Sequence, residues 1–229
     1  MYFFLVLMYL LLIPTIYFNA IDYSIIKTIV KGGCSLCFLL CGYFSYKKCT
    51  ITNKKYSTSI LLGLFFGMLA DIFISLNFDY AFHLGAATFA IGHFFFIKAF
   101  VSYSSINKKD IIITTVLLAF FIFLISIYDN FNFNGLFPIV FIYDLVISFM
   151  LAKALSLLKF RKKNKTLFTF IPLGALLFYI SDYILLFIYF AGFSPTLGTV
   201  LNLSIYYTGQ AIIALSLYRN CIININICK

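Results

Sequence analysis

The sequence predicts an all-α membrane protein, a bundle of about eight transmembrane helices, and three observations predict it. Hydrophobic residues make up 63% of the 229 positions and charged residues 10%, against about 45–50% and about 25% in soluble domains. Eight apolar runs approach or exceed the roughly 20 residues needed to cross a hydrocarbon core. Basic residues collect in every second connection between those runs, the charge bias that orients membrane helices.

The runs are 3–18, 23–46, 56–76, 80–101, 111–127, 136–158, 167–190 and 197–218. Their connections are short and polar, so residues 1–229 are expected to form a single polytopic membrane domain. The first run lacks the positively charged start of a signal peptide and is read as the first helix. Of the six cysteines, Cys34, Cys37 and Cys41 share one face of the second run and read as packing residues. Cys49, Cys221 and Cys228 sit near helix ends.

Charge placement sets the expected orientation. Lys47, Lys48, Lys54 and Lys55 follow the second run, and Lys108 and Lys109 follow the fourth. Lys159, Arg161, Lys162, Lys163 and Lys165 follow the sixth, and Arg219 and Lys229 follow the eighth. The alternate connections carry Asp22, Asp79 and Asp129, with Lys27 at a helix start. An integral protein of the cell membrane with both termini cytoplasmic is expected. The same pattern accounts for the net charge of +10 without any nucleic-acid partner. Lys98 and Lys153, near cytoplasmic helix ends, are expected to snorkel toward the interface.

A faint internal repeat runs through the chain. Leu62-Gly63 precedes Asp71 in the third run as Leu173-Gly174 precedes Asp182 in the seventh. Leu84-Gly85 precedes His93 as Leu197-Gly198 precedes Tyr206. The halves would then be parallel four-helix repeats, an arrangement some transporters use.

Ionisable groups deep in lipid cost about 2.5–3.5 kcal/mol each on insertion scales, so they mark candidate sites. Lys31, Asp71, His93, Asp144 and Asp182 are such groups. Asp71 and Asp182 each lie 15 residues beyond the basic start of an outward-running helix, roughly 22 Å of rise in a core of about 30 Å. Lys31 and Asp144 lie eight residues into inward-running helices, roughly 12 Å from the outer side. Tyr206, Tyr207 and Gln210 span the same zone, and His93 is nearer the middle. One polar pocket in the outer half is expected. A buried ion pair locking the bundle, such as Lys31 with one Asp, is the structural alternative. With two histidines and no glutamate, neither a metal site nor a cofactor is expected.

Several stretches resemble the YhhN-type lysoplasmalogenase family. Gly63-Leu64-Phe65-Phe66-Gly67-Met68-Leu69-Ala70-Asp71 looks like its helix-three segment, and Gly85-Ala86-Ala87-Thr88-Phe89-Ala90-Ile91-Gly92-His93 like its helix-four segment. Gly174-Ala175-Leu176-Leu177-Phe178-Tyr179-Ile180-Ser181-Asp182 is similar to its helix-seven signature. Tyr206-Tyr207-Thr208-Gly209-Gln210 resembles its helix-eight motif. Tyr143 and Met150 fit a looser helix-six pattern. Lys31 fits a family lysine, although Gly32 and Gly33 stand where the family has proline and leucine.

The resemblance implies a hydrolase that cleaves the vinyl ether bond of a lysoplasmalogen to a fatty aldehyde and a glycerophospho-alcohol. Asp71 and Asp182 map to the family's catalytic candidates. Lys31, His93, Tyr143, Asp144, Ser181, Tyr206, Tyr207 and Gln210 are the expected supporting or substrate-binding residues, with a lysophospholipid substrate and membrane lipids as partners. The chemistry suits two carboxyls, one protonating the outer alkene carbon and one facing the oxocarbenium ion that results, much as in glycosidases. A small multi-pass transporter or proton-coupled permease is the rival reading.

Overall fold

The structure, a computed structural model, describes residues 1–21, 24–48, 53–76 and 78–220. Asp22, Cys49, Cys221, Cys228 and Lys229 lie outside the described residues. Eight helices follow in order: α1 (Tyr2–Ala20), α2 (Ser24–Lys47), α3 (Lys54–Ser75), α4 (Ala81–Val101), α5 (Lys108–Ile127), α6 (Phe137–Ser156), α7 (Leu167–Phe190) and α8 (Pro195–Arg219). All eight are long and apolar enough to cross a membrane, and the described residues contain no strand.

Local chemistry sets where several helices begin. Asn53 caps α3, its side chain accepting the Tyr56 amide at 3.2 Å, and this starts the helix two residues before the apolar run. Asn107 and Asp110 form a reciprocal capping box at the start of α5, satisfying amides that have no partner within the helix. That box carries α5 back to Lys108, three residues before its apolar run. Pro138 and Pro195 stand in the first turns of α6 and α8, where the missing N–H removes no helical hydrogen bond. Between α5 and α6, Asn134 (φ 46°) and Gly135 (φ 82°) make a left-handed turn. α2 runs unbroken through Gly32 and Gly33, so the departure from the family pattern leaves this helix continuous.

The packing repeats. When α1–α4 are matched to α5–α8, the α2–α8 contact corresponds to the α6–α4 contact, and the α3–α4 hairpin to the α7–α8 hairpin. Glycines let these hairpins close. A Cβ at Gly92 would lie 3.2 Å from the Gly63 carbonyl, and Cβ atoms at Gly174 and Gly209 would each lie 3.1 Å from the other's carbonyl. Small residues of this kind are what allow membrane helices to pack closely. Cys34, Cys37 and Cys41 are buried as free thiols.

The basic end of the bundle holds a correction. Lys153 does not snorkel. It is fully buried, with Nζ 2.9 Å from Asp110 Oδ2 and donating to the Ser105 carbonyl at 2.8 Å. The reason is that the α4–α5 connection and the first turn of α5 bring a carbonyl and a carboxylate to the amine inside the protein. Lys98, by contrast, is exposed and lies over the Phe95 ring. Between this end and the level of Asp71, Phe38, Leu64, Phe96, Ala214 and Leu217 form a closed apolar core.

Candidate functional site

Asp71, on α3, is 1% exposed and draws partners from two other helices. Lys31 of α2 places Nζ 3.4 Å from Oδ1. Ser35, one turn further along α2, lies 2.5 Å from Oδ2, and Tyr206 of α8 donates to the same oxygen at 2.8 Å. Gln210, one turn on from Tyr206, donates to its hydroxyl oxygen at 3.3 Å. Tyr207 points the other way along the α2 interface, donating to the Lys31 carbonyl at 3.2 Å and lying 3.1 Å from Ser35 Oγ.

Asp182, on α7, has a different set. Tyr143 of α6 donates to Oδ2 at 2.5 Å. His93 of α4 places Nε2 3.7 Å from that oxygen and 2.9 Å from the Tyr143 hydroxyl. The other ring nitrogen is 3.3 Å from the Met150 sulfur, so both faces of the imidazole edge are engaged. Phe178 packs edge-on against both His93 and Tyr206, with centroids at 4.6 and 5.1 Å, and forms the apolar divider between the two acid centres.

Both carboxylates line one polar cavity of about 210 Å³, together with Lys31, Asn202 and Tyr206. The cavity extends toward the ends of the helices away from the basic loops, where Asn19, Lys27 and Thr199 border it. A second cavity of about 60 Å³ is apolar. It runs between α4, α6 and α7, and Asp182 and Tyr143 stand on its wall. Asp182 therefore borders both spaces.

Three of the expected supporting residues lie elsewhere. Asp144 is buried in a separate cluster, accepting from Tyr183 at 3.1 Å, with Ser148 at 3.5 Å and Tyr179 donating to Tyr183 at 2.8 Å. Only a void of about 30 Å³ is shared between Asp144 and Asp182. Ser181 turns its hydroxyl back to the Phe178 carbonyl at 2.7 Å, because a helical serine bonds its own preceding turn when no other acceptor is in reach. Tyr207 supports α2 from behind the cavity.

A family model described as the YhhN family matches residues 26–217. The chain belongs to the YhhN family. Nothing among curated proteins or solved structures matches it. Each of the four YhhN-like stretches named above ends on, or contains, a residue of one acid centre: Asp71, His93, Asp182 and the Tyr206–Gln210 pair.

Within this YhhN-family site, sequence reasoning passed over Ser35, Asn202 and Lys27. A signal for all three was present. Lys27, Lys31 and Ser35 recur every four residues on one face of α2, and Asn202, Tyr206 and Gln210 do so on α8. Asn202 is held by its amide, which donates to the Ser181 carbonyl at 2.6 Å, so Ser181 contributes to the site through its backbone.

Proposed function

We propose that this YhhN-family chain is a membrane hydrolase that cleaves the vinyl ether bond of a lysoplasmalogen. The observation that carries the proposal is the pair of carboxylates on the wall of one cavity, each with different partners. Each acid accepts from a phenol, but Asp71 also has the Lys31 ammonium beside it, which suits an anion, whereas Asp182 is held through one oxygen and can turn the other to a substrate.

The reaction divides accordingly. Asp182 delivers its proton to the outer alkene carbon, and the ether oxygen shares the resulting positive charge as an oxocarbenium ion. Asp71, held by Lys31, Ser35 and Tyr206, faces that charge and takes a proton from the attacking water. The hemiacetal formed then collapses to a fatty aldehyde and a glycerophospho-alcohol, its hydroxyl proton ending on the released alcohol oxygen, and the proton held by Asp71 returns to Asp182 across the shared cavity. Tyr143 and His93 position Asp182.

The cavity is blind at one end: Phe38, Leu64, Phe96 and Leu217 are packed on the basic side of the acids, as suits a substrate pocket. The test is direct. Purified protein in detergent is given lysoplasmalogen, and aldehyde release is followed by trapping and mass spectrometry. Turnover supports the reading. Its absence, together with uptake of a charged solute by proteoliposomes, would replace it with the transporter.

The proposed orientation puts the basic loops in the cytoplasm and the cavity toward the outer leaflet. In a chain stripped of its own cysteines, a cysteine at Asn132 should react with an impermeant maleimide in intact cells. One at Asn164 should react only after permeabilisation. The reverse pattern would move the cavity to the inner leaflet.

A further inference from the structure

We propose that the apolar cavity between α4, α6 and α7 is the seat of a single aliphatic chain, and that the polar cavity takes the anionic headgroup of the same lipid. The inference rests on the hydrolase reading for the identity of the reacting bond, and it adds the direction in which the substrate lies.

The two cavities are contiguous in their walls. Ile74, Phe89, Asp182, Leu185 and Tyr189 line both. Beyond that boundary their chemistry diverges. The larger space is bordered by Asn19, Lys27, Lys31, Thr199 and Asn202, and the smaller by Phe82, Ala86, Ile139, Val140, Leu186 and Phe190. A lipid with one tail has the same two-part character. In an alkenyl ether the reactive double bond is formed by the first two chain carbons next to the ether oxygen, so it lies where tail meets headgroup. Asp182 stands at the corresponding place in the protein.

The apolar space is about 60 Å³ against about 210 Å³ for the polar one, room for the first carbons of one chain and too little for two chains side by side. Ile139, on its rim, is 37% exposed on the outside of the bundle, so the far end of a long tail continues from the cavity into the surrounding lipid. On the polar side, Lys27 and Lys31 are one helical turn apart on one face of α2, about 5–6 Å between side-chain origins. Both lysines border the polar cavity and bring positive charge to it, which suits a phosphate. Asn19, Thr199 and Asn202 bring hydrogen-bonding groups to the glycerol and the rest of the headgroup.

The chain has no tryptophan, so one introduced indole is a clean reporter. Phe82→Trp places it on the wall of the apolar cavity, and Leu186→Trp serves as a second reporter at another point of the same wall. The probe is a saturated 1-O-alkyl lysophospholipid brominated along its chain, which has no double bond to protonate and is not cleaved. The expected result is saturable quenching in either reporter, reversed by the unbrominated lipid. Ala86→Phe, which narrows the cavity, should weaken binding at least about tenfold, the scale of a pocket mismatched by one or two carbons. Lys27→Ala should weaken the phospholipid while leaving a fatty alcohol of equal length unaffected.

A reporter at Phe123, which is 56% exposed on α5 and lines neither cavity, shows what contact with bulk lipid alone looks like. Quenching at both cavity reporters that rises with lipid like this control, without saturation, overturns the proposal. So does equal affinity in Ala86→Phe. The two readings separate cleanly. Saturable binding without aldehyde release from lysoplasmalogen defeats only the hydrolase, and aldehyde release without saturable quenching defeats only the chain seat.

Discussion

Asp71 and Asp182 occupy matching places in the two halves of the bundle, yet they keep different company. Asp71 on α3 is met from α2 and α8, and Asp182 on α7 is met from α6 and α4. Exchanging each helix for its counterpart four places along the chain turns one set into the other. The Tyr206 and His93 positions correspond in the internal repeat, and each reaches across to the acid of the opposite hairpin. What changes is the chemistry. Beside a phenol on each, Asp71 has an ammonium and a serine hydroxyl, whereas Asp182 has an imidazole. A near-symmetric scaffold thus presents two carboxyls to one cavity in unlike surroundings, which is what acid–base division of labour requires.

The strongest way to break this comparison is to neutralise each acid. Asp71→Asn and Asp182→Asn should each lower aldehyde release by about 10²–10⁴-fold, the usual contribution of a general acid or base. Asparagine keeps the shape and removes a costly ionisable group, so insertion should not suffer. The double variant should be little worse than either single one, because groups that act as a unit are non-additive. Full turnover in one variant would reduce that acid to a structural contact.

A second prediction compares Lys31–Asp71 with the other buried pair. Lys153 and Asp110 are fully buried at 2.9 Å and border neither of the joined cavities. Lys153→Met leaves an uncompensated carboxylate and should cost about 3–5 kcal/mol of stability in a denaturant titration. Turnover per folded molecule should be unchanged. Lys31→Met should show the opposite balance. If it destabilises as strongly and leaves turnover intact, the pair at the cavity is also a lock.

The partner sets themselves are tested next. Lys31→Met removes a charged partner of Asp71, and Tyr143→Phe removes the phenol from Asp182. Each should cost about 1.5–3 kcal/mol of transition-state stabilisation, the range for hydrogen bonds to charged groups, read from kcat/KM with aldehyde release. Their pH–rate profiles should change in different ways, since one alters a fixed charge and the other a neutral donor. Identical profiles would argue that the two centres are equivalent.

The smallest effect sharpens the comparison of the hairpins. A Cβ at Gly209 would meet the Gly174 carbonyl at 3.1 Å and the Phe178 amide at 3.2 Å. At Gly63 the nearest obstacle is the Phe96 ring. Gly209→Ala should therefore cost about 1–3 kcal/mol of stability through overpacking. The double variant Gly63→Ala/Phe96→Leu should be tolerated better, because a side chain can be made smaller and a backbone cannot. Thermal unfolding of the two variants compares them.

The sequence by itself determined that the chain is a helical membrane bundle and where its eight helices run, because hydrocarbon demands long apolar helices whatever their neighbours. It also singled out Asp71, His93, Asp182, Tyr206 and Gln210, since ionisable and polar groups at membrane depth stand out against so apolar a background. Helix ends were less legible. Asn53 and Asn107 carry α3 and α5 back beyond their apolar runs, and capping depends on a side chain rather than on hydropathy. Only the tertiary structure decided which group meets which. Lys31 pairs with Asp71 and not Asp182, Asp144 turns to Tyr183, and Lys153 finds Asp110 instead of the interface. These choices depend on the rotation of each helix and on contacts such as α2–α8 and α4–α6, between helices far apart in the chain. Hydropathy and spacing report depth along a helix axis, and they hold no record of which neighbour a given face will meet.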